Sequence, residues 1–236
     1  MTEPQVVHRD ADLLVIDKPS GLPTTSPDGS NCLAAWARAH DPDAEKMHPS
    51  SRLDAEVTGL VTFARTSRAI QQLTAARAAS AYRRFYLGLA SRAPAPGAGD
   101  WRDPIARDPK DPRRRVVADG GSPAWSRYRT LAELPQLALL LLQPETGRTH
   151  QLRVHASRAG APLWGDKHYG GPVRAVQADG RVQAARRVML HCAQLILPGI
   201  TSAGPITLRA PAPPDLRAFY VALGGDEALL DPPAWG

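Results

Sequence analysis

The chain has 236 residues, 43% of them hydrophobic, and carries a formal net charge of +6. That length and apolar content exclude a wholly disordered chain and supply a core for one large domain or two closely joined halves. The basic balance, with a pI of about 9.7, favours acidic partners such as RNA, DNA or an anionic membrane surface.

Residues 1–9 are polar and charged and lack an apolar signal core. Leu13-Leu14-Val15-Ile16 reads as a short buried strand that breaks at Lys18-Pro19 and Gly21, which places a lysine at the entrance of a loop. Ser30 is the expected cap of a short amphipathic helix in which Leu33, Trp36 and Ala37 share a face, ending at Asp41-Pro42. A polar loop with His48, Ser50 and Ser51 leads to Asp54 and then to a strand over 59–64. Thr66 or Ser67 caps the next helix, whose Ala69, Ile70, Leu73 and Ala76 face one way. Asp54 thus sits in a loop entering a strand, a common place for catalytic groups.

Residues 83–90 form a further predicted strand carrying Tyr86. The stretch 93–121 turns to Pro, Gly and charge, with Arg107, Lys110, Arg113, Arg114 and Arg115, and reads as a surface excursion or hairpin. Strands are expected over 124–131, 137–142, 189–197 and 206–209, a closing helix over 213–223, and a Pro-rich surface tail beyond Leu230. The sum is a strand-rich α+β protein with antiparallel hairpins. No run approaches the roughly 18–20 apolar residues of a membrane span. The two cysteines, Cys32 and Cys192, lie in apolar segments, so buried thiols and a reducing cytoplasm are expected rather than disulfides.

Thr146-Gly147-Arg148-Thr149-His150-Gln151-Leu152-Arg153-Val154-His155, continuing to Gly165, holds five basic or titratable side chains and no acid. An anion is expected against it, either the Asp54 carboxylate or a phosphate backbone. Leu152, His155, Ala156 and Ala159 mark a helix over 149–159, with Thr149 as cap, Gly160 and Pro162 as stop, and Arg153 at the border of the buried stripe. Arg153 is either the bidentate partner of a cleft carboxylate or a structural tie between segments. His150 and His155, five positions apart, are turned about 140° from one another on a helix, which disfavours a shared metal. No glycine-rich phosphate loop or nucleophile elbow is present. From spacing alone, Asp54 beside Arg52 reads more readily as a surface ion pair than as a catalyst.

At these residues the chain resembles the pseudouridine synthases of the RluA class. The resemblance is carried by Lys18-Pro19-Ser20-Gly21, by Arg52-Leu53-Asp54 with Thr58-Gly59-Leu60, and by Arg84-Phe85-Tyr86-Leu87. It continues through the 146–155 motif, Pro162-Leu163-Trp164-Gly165-Asp166, Tyr169-Gly170 and Leu190-His191. It implies an α+β fold with a mixed, largely antiparallel sheet in two halves around a central cleft. It also implies one catalytic domain over 1–236 with no separate N-terminal RNA-binding domain. Asp54 would be the nucleophile, Tyr86 would pack on the target uracil and assist proton removal, and Arg153 would pair with Asp54. Arg52 would fill the gap left by the flipped uridine, and Lys18, Arg148, His150 and Gln151 would bind substrate.

The reaction the resemblance implies is an isomerisation, so no cofactor and no metal are expected. The implied partner is structured RNA, ribosomal or transfer; no protein partner is evident, and a cytoplasmic monomer is expected. Two departures stand out: Ser51 where the family has histidine, and Val57-Thr58 where it has Thr-Ser. They motivate the alternative of a noncatalytic RNA-binding or ribosome-assembly factor. A carboxylate-dependent nucleoside hydrolase is a third reading, with Glu56 the only nearby second acid.

Overall fold

The computed structural model describes residues 3–177, 179–200 and 204–231. In chain order these form β1 (Gln5–Arg9), β2 (Leu13–Lys18), α1 (Leu33–His40), β3 (His48–Pro49), β4 (Thr58–Ala64), α2 (Ser67–Ala78), β5 (Arg83–Ala90), β6 (Ala98–Trp101), β7 (Ile105–Arg107) and β8 (Arg115–Val117). There follow β9 (Ser126–Glu133), β10 (Ala138–Pro144), α3 (Gln151–Arg158), β11 (Arg174–Val176), β12 (Val182–Ala184), β13 (Leu190–Leu197), β14 (Ile206–Arg209), α4 (Pro214–Ala222) and a 3-10 turn, Glu227–Leu230. The protein is α+β with a mixed, largely antiparallel sheet. It divides into two compact units, Met1–Arg84 with Cys192–Ala210, and Phe85–His191 with Pro211–Gly236, with boundaries inside β5 and β13.

In the first unit the strands run β1-β2-β4-β13, with β3 on β4 and β14 on β13. Leu13 to Ile16 of β2 and all of β4 are buried. These strands therefore read as continuous apolar runs rather than alternating ones. Each fully buried Leu, Ile or Phe contributes about 1.5–3 kcal/mol of transfer energy. β1 was not expected from the sequence: four of its five residues are exposed, so it carries no apolar pattern, and only its pairing with β2 defines it.

Thr66 caps α2 by accepting from the Ala69 amide, as predicted. Ser30 does not cap α1. The cap is Cys32, without a side-chain bond, and the amides of Leu33 and Ala34 donate to the carbonyls of Pro23 and Thr24. The helix start is satisfied by loop backbone, and the Ser30 hydroxyl turns to Asp28 instead.

In the second unit the order is β5-β10-β9-β6, packed with Leu87, Leu89, Leu139, Leu140, Leu163, Phe219 and Tyr220. The predicted excursion contains β6 and the β7–β8 hairpin. That hairpin is anchored, since Ile105 and Val117 pack with Ala124, Val154 and Tyr169. α3 is shorter than expected, and Thr149 is not its cap; His150 occupies that position in the left-handed region at φ 57°. Both cysteines are buried and free. No helix among the described residues is long and apolar enough to cross a membrane. The tail predicted beyond Leu230 lies outside the described residues from 232 onward.

Candidate active site

In the first unit, the loop bearing Asp54 is braced from below by the loop after β2. Register places Lys18 opposite Gly59 at the mouth of the β2–β4 pair. The Lys18 side chain is wholly buried, and its ammonium donates to the carbonyls of Pro19 (2.9 Å), Leu22 (2.7 Å) and Ala55 (3.1 Å). One cation thus ties two loops together. Thr24 adds a two-way clamp: its hydroxyl donates to the Leu53 carbonyl at 3.0 Å and accepts from the Leu53 amide at 2.9 Å. Gly21 N donates to Ala55 O and Ser20 Oγ to Glu56 O, while Val57 N closes the turn on Asp54 O at 3.1 Å.

The backbone on both sides of Asp54 is therefore fixed, with Leu53 buried, Arg52 exposed and Asp54 itself half-buried. Gly59 follows at φ 108°, where a Cβ would stand 2.3 Å from the Cys192 carbonyl oxygen. Only glycine lets β4 start so close to β13. The two departures from the family pattern lie inside this scaffold. Ser51 is buried and its hydroxyl accepts from the Thr62 amide at 3.2 Å, with Tyr82 donating to the Thr62 hydroxyl; Val57 is core.

In the second unit, the 146–155 motif folds around Gln151. Its carbonyl oxygen accepts from Thr146 Oγ1 (2.7 Å) and the Arg148 amide (2.9 Å), and its amide nitrogen donates to Trp125 O and Ser126 Oγ, both at 2.9 Å. Ser126 Oγ also meets His155 Nδ1, and His155 Nε2 donates to the Asp103 carbonyl at 3.0 Å. Burial holds the His155 imidazole below its usual pKa, partly offset by the Asp103 carbonyl, so the ring acts as a neutral bridge. A fully satisfied buried network of this kind fixes one loop conformation.

Arg153, expected at the stripe border, is 4% exposed. Its Nε and Nη2 meet Asp166 Oδ2 and Oδ1 at 2.7 and 2.8 Å. Its guanidinium also lies 5.1 Å from the centre of the Tyr169 ring. Tyr169 hydrogen-bonds His150 Nδ1 at 2.7 Å. Arg148 is exposed and donates from Nε to Pro123 O. Tyr86 is buried on β5, opposite Leu142 of β10.

The structure thus gathers Lys18, Arg52 and Asp54 in one unit and Tyr86, Arg148, His150, Gln151 and Arg153 in the other. Lys18 and Gln151, expected to touch substrate, are buried, and each braces a loop through hydrogen bonds to protein groups. Thr24, Asp166 and Tyr169 were not singled out from sequence as site residues. For Asp166 a signal existed in the Gly165-Asp166 step after α3, whereas Thr24 had none.

A carboxylate on a braced loop and a basic helix on an antiparallel α+β scaffold make an enzyme for a polyanionic substrate the class that fits. Comparison with known proteins makes this specific. The profile of the family described as RNA pseudouridylate synthase matches residues 12–158. "Ribosomal large subunit pseudouridine synthase D" of Xanthomonas campestris is 34% identical, over 94% of this chain and 70% of its own. The protein of the same name from Haemophilus ducreyi is 33% identical, over 94% and 71%. An RNA pseudouridine synthase of Zymomonas mobilis is 33% identical, over 89% and 94%. The solved structure of human RNA pseudouridylate synthase domain containing 4 has a TM-score of 0.73 at 26% identity, covering 93% of this chain and 92% of that one. The chain belongs to the RNA pseudouridylate synthase family, isomerases that convert uridine in RNA to pseudouridine.

Proposed function

We propose that this chain isomerises a uridine of large-subunit ribosomal RNA, with Asp54 as nucleophile. The observation that carries the reading is the bracing of the Arg52-Leu53-Asp54 loop. Lys18 and Thr24 immobilise the backbone on either side of one half-buried carboxylate. Preorganisation of that kind is what a covalent step requires. The substrate class follows from the names of the Xanthomonas and Haemophilus relatives.

In this reading Asp54 bonds transiently to the substrate while the bond between uracil N1 and ribose breaks. The base turns and rejoins through carbon 5, the carbon 5 proton leaves, and N1 regains a proton, so the change is redox-neutral. Arg153, held by Asp166, is the cationic residue of this reading, and Tyr86 packs on the base and assists proton removal. Arg52 fills the space of the extruded uridine, whose flipping costs a few kcal/mol. Arg148 and His150 serve the RNA backbone.

The test is pseudouridine mapping of total RNA from cells with the wild-type gene, with none, and with Asp54→Asn. A ribosomal site present only with the wild type is expected. Turnover by Asp54→Asn would refute the nucleophile. RNA binding with no new pseudouridine under any gene would favour the noncatalytic assembly factor, and release of free uracil would favour a hydrolase.

A further inference from the structure

Gln151 and His155 stand four positions apart on one face of α3, and the hydroxyl of Ser126, the first residue of β9, lies between them. Ser126 Oγ is 2.9 Å from Gln151 Nε2 and 2.9 Å from His155 Nδ1. All three side chains are buried, so each polar atom depends on its protein partners.

Backbone groups fix the proton order along this line from both ends. The Arg148 amide can only donate, so the Gln151 atom that meets it is the carbonyl oxygen, which also takes the Thr146 hydroxyl proton. The Trp125 carbonyl can only accept, so it faces the Gln151 amide nitrogen, whose second hydrogen goes to Ser126 Oγ. At the far end the Asp103 carbonyl takes the proton of His155 Nε2. The ring is neutral, its Nδ1 is an acceptor, and the Ser126 hydroxyl proton turns to it. Donation thus runs one way, from the Arg148 amide through Gln151, Ser126 and His155 to Asp103.

We propose that His155 is a positioning residue for RNA binding: by accepting the Ser126 proton it holds the Gln151 carboxamide in the orientation that receives the Arg148 amide, and so sets the turn carrying Arg148 and His150. This rests on the reading above, in which those two residues serve the RNA. Other bonds also hold the turn. The Glu145 and Thr146 amides donate to the Trp125 carbonyl, the Gln151 amide to the Arg148 carbonyl and Arg148 Nε to the Pro123 carbonyl, while Tyr169 meets His150. Those backbone bonds have a fixed direction, whereas a carboxamide can turn over. Without the Nδ1 acceptor, the Ser126 proton is left with the Gln151 oxygen as its partner, and turning the carboxamide to meet it sets an NH2 group against the Arg148 amide. One buried donor loses its acceptor either way.

Two substitutions separate proton direction from the space the ring fills beside Trp101. His155→Asn places an oxygen where Nδ1 stands and keeps the acceptor for Ser126; His155→Gln keeps a donor for the Asp103 carbonyl and gives up that acceptor. Binding of large-subunit ribosomal RNA transcribed in vitro is measured in the Asp54→Asn background, and KM and kcat in the active chain. His155→Gln is expected to weaken binding about five- to tenfold and to raise KM by more than it lowers kcat, with His155→Asn within about twofold of wild type. In a Ser126→Ala background the two should bind alike, since no hydroxyl proton remains to be placed. Equal affinity of His155→Asn and His155→Gln with Ser126 intact, or a loss confined to kcat, would overturn the proposal. Should His155→Gln melt far below wild type, Ser126→Ala alone decides: wild-type affinity and KM there sink it. Pseudouridine formation by Asp54→Asn would instead strike the catalytic reading and leave these binding results standing.

Discussion

Arg153 and Asp166 form a two-point ion pair, Nε to Oδ2 at 2.7 Å and Nη2 to Oδ1 at 2.8 Å, with both side chains out of water. Asp166 also anchors its own loop, since its carbonyl accepts the amides of Tyr169 and Gly171. Removing the acid leaves a buried guanidinium without its bidentate partner, which costs far more than the pair contributes. Asp166→Ala is expected to lose about 3–5 kcal/mol of stability in urea denaturation. Asp166→Asn, which keeps one acceptor, should lose less. Equal stability of Asp166→Ala and wild type would show that the pair holds nothing.

Thr24 tests the brace on the other side. Its hydroxyl serves both polar atoms of the Leu53 backbone, so Thr24→Val keeps the shape and strands a buried amide and carbonyl. A stability loss of about 1–3 kcal/mol is expected, with kcat lowered about 10- to 100-fold as Asp54 drifts. Thr24→Ser restores the hydroxyl and should recover most of both. A Val variant with wild-type kcat would mean that the clamp does not position the carboxylate.

What the sequence revealed follows from where each interaction closes. The runs at Leu13 to Ile16, 59–64 and 83–90 announced β2, β4 and β5 because apolar density and the bordering Pro, Gly and charge are local signals. β1 and the β11–β12 hairpin were missed, since their exposed residues carry no apolar pattern. The caps of α1 and α3 were misplaced for a different reason. The amides of α1 close on Pro23 and Thr24, and the start of α3 is organised by the Gln151 side chain, so neither needs Ser30 or Thr149. The roles of Lys18 and Gln151 were hidden likewise. The Lys18 ammonium closes on the Ala55 carbonyl, thirty-seven positions away, a contact that no local pattern announces.

Asp17, next to that lysine, gives a pH signature. Burial pushes its carboxyl up to about 6, only partly countered by the charge of Lys18. Below the ordinary value of 3.8 the group is protonated in both folded and unfolded chains, and its contribution is fully present. As pH rises through about 6 the unfolded chain has already released the proton that the fold retains, so stability falls, and the loss is complete above that pH. Asp17→Asn removes this term. Its advantage over wild type should be absent near pH 3–4 and reach on the order of 1–2 kcal/mol above pH 7, after allowance for solvent screening. Parallel urea titrations across that range check it, and equal slopes against pH would contradict it.

Gly59 offers the sharpest steric test, because its obstacle is backbone. At φ 108° an L side chain is strained, and a Cβ would meet the oxygen, nitrogen and carbon of Cys192 at 2.3, 2.6 and 2.8 Å. No rotamer relieves a contact with main chain, so Gly59→Ala must push β4 from β13 or open the turn that carries Asp54. A loss above about 2 kcal/mol is expected, together with a fall in kcat, since the displaced residue is the second of the strand into which the Asp54 loop feeds. Gly120 is the control: a Cβ there meets nothing within 4 Å, and Gly120→Ala should change stability by no more than about 0.5 kcal/mol. Urea midpoints for the two variants decide the matter. Near-native stability at Gly59→Ala would show that the strands separate easily, and rigidity at the start of β4 would no longer explain how the carboxylate is held.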